Sequence, residues 1–189
     1  MATWIVLAIA AVVVVYGIVL FNRLVRTRQM AEEGWSGIDV QLKRRADLIP
    51  NLVSTVKGYA AHEQQVLTQA TELRAAAGKI PEGDVAARSR AEGKLSAAIG
   101  KLIALAEAYP DLKASDNFLE LQKTLASVED EIQMARRYYN GATRNLNVLV
   151  ESFPSNIIAG LFGFGHRDFF EMESSERAVP GVEFGGAAR

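Results

Sequence analysis

Residues 2–21, ATWIVLAIAAVVVVYGIVLF, form an unbroken uncharged run. About twenty apolar residues is the length a helix needs to cross a hydrocarbon core roughly 30 Å thick. A cleaved secretory signal looks different: it has a basic start, a shorter apolar core and a small-residue exit. Here no Lys or Arg precedes the run, and Asn22-Arg23 follow it directly. The run therefore reads as a retained membrane anchor, with Trp4 suited to an interfacial belt. Arg23, Arg26 and Arg28 crowd its far side, where they can meet lipid headgroups. The positive-inside rule then places the N-terminus outside and the body in the cytoplasm.

The 189 residues, less the anchor, leave one domain large enough to bury a core. A net charge of −1 gives no basic surplus for nucleic acid. The absence of cysteine excludes a disulfide framework, a thiolate metal site and a cysteine nucleophile.

After the anchor, apolar residues recur on alternating steps of three and four. Trp35, Ile38, Leu42, Ile49, Leu52, Val56, Tyr59, Val66, Ala70 and Leu73 form one stripe, interrupted only by Arg45 and Glu63. Such a seam marks helices packed at shallow angles. It predicts one long first helix, kinked at Pro50 rather than ended there. A second stripe runs through Phe118, Leu121, Leu125, Val128, Ile132, Ala135, Tyr139, Ala142, Leu146, Leu149 and Phe153, and Pro154 stops it. A shorter middle helix, about 84–108, has Asp84 as its N-cap. Short links at 78–83 and 110–115 make neighbours antiparallel.

The sequence therefore predicts an all-α protein: a transmembrane helix (2–21) continuing into a long antiparallel three-helix, coiled-coil-like bundle (22–153). An apolar, Gly-rich contact segment (154–170) and a loose tail (171–189) follow. The middle helix is too short to cover both long seams. Either the two long helices pack on each other, or a second copy covers what remains.

Candidate sites are few. His62-Glu63 lacks the second histidine of a metalloprotease helix, because Val66 stands in its place. His166 has no Glu three residues before it, so the di-iron bundle pattern also fails. No metal, cofactor or catalytic set is expected, and the chain is not expected to be an enzyme. Lys43-Arg44-Arg45 lies about 30 Å beyond the anchor, past a Debye length of about 8 Å, so Lys43 and Arg44 are read as ion-paired with Asp39 and Asp47 along the helix. Arg45 and Glu63 fall on the seam, where a charge needs an inter-helix or inter-chain partner. The acid run at 129–131 reads as a solvated face. The strongest contact candidate is residues 157–164, with Ile157, Ile158, Leu161, Phe162 and Phe164. It is too short to span a bilayer. It can dock on its own bundle, on another copy, or on the lipid interface.

Several stretches resemble the LemA family: IDVQLKRRADLIPNLVSTVKGYAAHE (38–63), YPDLKASDNFLELQ (109–122), ARRYYN (135–140) and ESFPSNIIAGLFGF (151–164). VPGVEF (179–184) is similar to the family's P-x-V-x-F ending. The chain departs from it at Leu146-Asn147, where the family often has Tyr-Asn, and at Phe21, where it often has Tyr. The resemblance implies a bacterial membrane protein with a helical-bundle body and no agreed catalytic residues. It also implies association with TPM-domain proteins or membrane-bound peptidases. The resulting expectation is a self-associating, non-catalytic scaffold on the bacterial cytoplasmic membrane, in contact with the bilayer and not with nucleic acid. The alternative is a membrane-interface binding or remodelling protein that uses residues 157–164.

Overall fold

One α-helix, α1, runs unbroken from Ala2 to Lys57 and joins the apolar run to the body without a hinge. The computed structural model describes residues 1–81 and 83–171, so the expected loose tail falls outside the described residues beyond Glu171. Among the described residues all regular structure is helical. α2 is Gln64–Ala77, α3 Val85–Glu107, α4 Pro110–Lys113, α5 Asp116–Glu151 and α6 Ser155–Leu161.

The first third of α1 is bare: Trp4, Ile5, Ile9, Val13, Ile18 and Val19 are exposed. From Leu20 onward one face closes. Leu20, Leu24, Ala31, Gly34, Ile38, Leu42, Arg45, Ile49, Leu52 and Val56 are buried, at the three-and-four spacing of a packed seam. Their partner is α5, met in reverse order. Leu24 clusters with Leu146, Gly34 lies against Tyr139, and Arg45 bonds Glu129. The two helices therefore run in opposite directions.

The expected three helices give way to a different division. The first seam does not continue through Glu63, because α1 ends at Lys57 with Gly58 as its C-cap and the chain reverses. Ala60 is buried in the reversal, and its N–H bonds Val56 O at 2.8 Å. Tyr59 and Glu63 face solvent, so neither lies between helices of this chain. Val66 to Leu73 keep the seam's phase by coincidence, on the separate helix α2. Pro50 lies inside α1 without ending it. The oxygen of Asp84 accepts the N–H of Ala87 at 2.9 Å and caps α3.

α2 and α3 pack over the distal half of the α1–α5 pair. Ile49, Leu52 and Val56 of α1, Leu67 and Ala70 of α2, Leu95 and Leu102 of α3, Leu112 of α4, and Phe118 and Leu125 of α5 form one core. Each of the larger side chains contributes about 1.5–3 kcal/mol when removed from water. The early end of α1 also removes the expected length mismatch. From Asn22 to Lys57 its body portion is as long as α5, which has 36 residues, or about 54 Å. The two seams cover each other within one copy, and length alone does not call for a second.

Candidate functional site

Two places carry more than packing: the polar centre around Arg45, and the corner where α5 turns into α6.

Arg45 occupies a seam position and is 2% exposed. Its Nη1 donates to Ser96 Oγ at 2.6 Å and to Glu129 Oε2 at 2.8 Å, and its Nη2 donates to Glu92 Oε2 at 2.6 Å. Glu92, also buried, takes a second cation on its other oxygen, Arg88 Nε at 2.9 Å. Arg88 reaches on to Asp39 at 3.6 Å. One guanidinium thus ties α1 to α3 and α5. A buried charge is tolerated when several partners satisfy it, and in return it fixes register. Two local expectations change with this. Glu129 is a partner of Arg45 and not part of a purely solvated run. Asp39 and Asp47 meet Arg88 and Arg74 across helices, Arg74 at 3.9 Å, where pairs with Lys43 and Arg44 were expected. A cavity of about 400 Å³ opens beside Arg45, lined by Ile99, Ile103, Leu125 and Glu129 among others.

At the other end, α5 stops at Glu151 and α6 folds back onto α1. A Cβ added to Gly17 would sit 3.8 Å from Ile158 Cδ1. The Phe21 ring meets Phe162 edge-on at 4.7 Å and Phe164 at 5.8 Å. Ala159 and Phe164 are buried against Leu24, Leu146 and Leu149. The contact segment therefore divides. Ile158 and Phe164 face inward, while Ile157, Leu161 and Phe162 remain exposed, as does Phe153 beyond the end of α5. The last position of the second stripe, Phe153, is thus outside the seam. Of the flanking arginines, Arg23 and Arg26 are exposed. Arg28 stacks over Phe164 at 5.2 Å and approaches Glu32 at 3.9 Å.

Beyond α6 the chain climbs back along α5. Asn147 donates through Nδ2 to Arg167 O at 2.9 Å, and its Oδ1 accepts Arg167 N–H at 3.0 Å. Asn140 treats Phe170 the same way, at 3.1 and 2.9 Å. Seven helical residues rise about 10.5 Å, and three residues reach that distance only when drawn out. Residues 164–171 are therefore an extended strap, held by its backbone. Tyr139 Oη donates to Asp168 O at 2.8 Å. Phe170 is fully buried, its ring 5.9 Å from Trp35. Burial raises the Tyr139 phenol above its ordinary pKa of 10.0. Ser89 of α3 donates to the carbonyl of Glu171 and fixes the far end. Asn140 and Asn147 do not stand out as a pair in the sequence. Their one signal there is two amides seven residues apart on the inward side of an apolar stripe. His166 lies 2.5 Å from Glu151, whereas His62 is exposed on the α1–α2 reversal.

These features define a class: a helical rod carried on one helix that is long and apolar enough to cross a membrane. The LemA family model matches residues 34–184, and the chain belongs to that family. Among curated relatives it is similar to Magnetosome protein MamQ 2 of Paramagnetospirillum magneticum, 25% identical over 175 residues, 80% of this chain and 64% of that protein. It is equally similar to Magnetosome protein MamQ of Magnetospirillum gryphiswaldense, 25% over 174 residues, 79% and 64% of the two chains. Protein LemA of Metamycoplasma hominis is 28% identical over 158 residues, 82% of this chain and 71% of that one. The chain thus spans a little under two thirds of the MamQ proteins' length.

Proposed function

We propose that this chain is a single-span membrane anchor bearing a stiff, non-catalytic helical rod, a scaffold or adaptor on the cytoplasmic face of the bacterial cytoplasmic membrane. The carrying observation is α1. One unbroken helix has a bare apolar first third and a sealed seam over the rest. Residues 2–19 supply about 27 Å of helix, close to the thickness of a hydrocarbon core. The remaining 38 residues carry α2 and α3 alongside α1 from about Asp39 onward, roughly 30–55 Å from the bilayer. A rod fixed at one end and rigid along its length is suited to holding partners at a set height. The arginine flank supports the orientation. The buried Arg45 centre serves register. It does not offer a nucleophile and base to a substrate.

Association between copies is part of the proposal. Its support is confinement of the rods to one plane, which raises their effective concentration. Membrane-bound peptidases and TPM-domain proteins are partners that the family resemblance implies. The relatives' names place two of them at a magnetosome and carry no chemistry over to this chain. Because the chain has no cysteine, single-cysteine labelling in intact cells is a clean test. Lys113→Cys should resist a membrane-impermeant maleimide until the cells are broken. Labelling from outside would reverse the orientation, and release of the protein by alkaline carbonate would remove the anchor. Size measurement in mild detergent tests self-association, and a strict monomer at all concentrations rejects it.

A further inference from the structure

We propose that the α5–α6 corner is a second lipid contact, seated in the interfacial layer of an anionic leaflet beside the span. The inference rests on the reading of α1 as the membrane anchor. Three independent observations carry it.

First, the corner is bare and apolar. Phe153 is 80% exposed, Leu161 73%, Phe162 60% and Ile157 53%. No charged residue lies between Ser152 and Phe164. Second, its height is fixed by contacts. α6 packs on Gly17 and Phe21, the last turns of the apolar run. Once residues 2–21 occupy the hydrocarbon, the corner stands at the boundary with the headgroups. Its exposed side chains are then continuous with the bare lipid-facing surface of α1. That continuity favours lipid over a second copy as the occupant. Third, exposed cations lie just above it, outnumbering the exposed Glu151 at the end of α5, which meets His166. Arg23 and Arg26 follow on α1. Arg144, exposed on α5, is at the same level because neighbouring Leu146 meets Leu24. An apolar face beneath a basic band is the pattern of elements lying in an anionic interface.

The test uses the full chain in vesicles, with an environment-sensitive fluorophore on one introduced cysteine. Labels go at Leu161→Cys, at Val13→Cys within the span, and at Lys113→Cys on the distal end. The proposal expects the Leu161 label to lose most of its fluorescence to lipids spin-labelled near the headgroup, and to resist aqueous iodide. The Val13 label should be quenched by deep spin labels, and the Lys113 label by iodide alone. If Val13 behaves so but Leu161 is quenched by iodide, the corner proposal is overturned and the anchor stands. If iodide reaches Val13 as well, the anchor reading itself has failed. A Leu161 label shielded from both quenchers means a protein covers the corner, which also overturns the proposal. Replacing phosphatidylcholine by phosphatidylglycerol should deepen the Leu161 label. Arg23→Gln, Arg26→Gln and Arg144→Gln together should abolish that response. No response in the unsubstituted protein contradicts the anionic preference.

Discussion

Arg74 on α2 donates through Nε to the carbonyl of Ala46 on α1 at 2.6 Å. Ala46 lies four residues before Pro50, which has no N–H to give it. The acceptor that the proline leaves unpaired within its own helix is thus satisfied from the neighbouring one. The same bond docks the α2–α3 hairpin.

Arg74→Met should cost about 1–3 kcal/mol, the usual penalty for leaving a shielded carbonyl unpaired. Pro50→Ala gives Ala46 a donor of its own. In that background Arg74→Met should cost distinctly less. Thermal unfolding of the four variants in detergent measures the coupling, and equal costs in both backgrounds would remove the link.

Arg45→Met leaves buried Glu92 with Arg88 alone, and should destabilise by about 3–5 kcal/mol. Replacing both members, Arg45→Met with Glu92→Met, should recover most of that loss, because well-packed apolar groups replace an ion pair at little net cost. Denaturant titration checks both. A double variant no better than the single one contradicts the assignment of Arg45 as a buried charge balanced through its two terminal nitrogens.

The strap depends on two amides. Asn147→Ala removes both bonds to Arg167 and should free the chain from Phe164 onward. Trypsin should then cut after Arg167 several-fold faster, while the circular dichroism of the helices is unchanged. Asn147→Asp keeps the acceptor and loses the donor, so it should fall between the two. Unaltered cleavage in Asn147→Ala would mean that Phe164 and Phe170 hold the strap without the amides.

Two glycines should respond oppositely. A Cβ on Gly34 would lie 2.9 Å from the Tyr139 Cα, where α1 rests directly on the α5 backbone. Gly34→Ala should therefore destabilise by about 1–3 kcal/mol through overpacking. At Gly141, in the middle of α5, an added Cβ would meet nothing within 4 Å. Gly141→Ala should stabilise by about 0.5–1 kcal/mol, the helical advantage of alanine over glycine. Melting temperatures moving in the same direction would contradict the packing.

Much of the fold follows from spacing alone. The run before Asn22 is legible from its length and lack of charge, and the stripe from Phe118 to Leu149 because it holds one period without a break. The end of the first body helix is not legible, for a definite reason. Gly58 and Ala60 turn the chain, yet the apolar residues of α2 resume in phase, so periodicity cannot register the reversal. Arg45 announces itself as a charge on a greasy stripe, but its partners come from residues 47 and 84 positions away, which no local pattern encodes. The outward and inward halves of residues 157–164 depend on how a seven-residue helix rests on α1. The strap lacks any periodic signal, since the amides hold it by backbone groups that every sequence shares and its two buried rings, Phe164 and Phe170, follow no helical spacing.

The most direct test of the account is a spin-label accessibility scan along α1 in bilayers, one introduced cysteine at a time. At Ile5, Ile9, Val13 and Val19, all exposed, collisions with oxygen should dominate, with no helical periodicity. At Val40, exposed on the same helix, a water-soluble relaxant should dominate, and contact should fall at the seam positions Ile38 and Leu42. A strong response to the water-soluble relaxant at Val13, or a protected face recurring from Ile5 to Val19, would contradict one helix shared between lipid and a sealed rod.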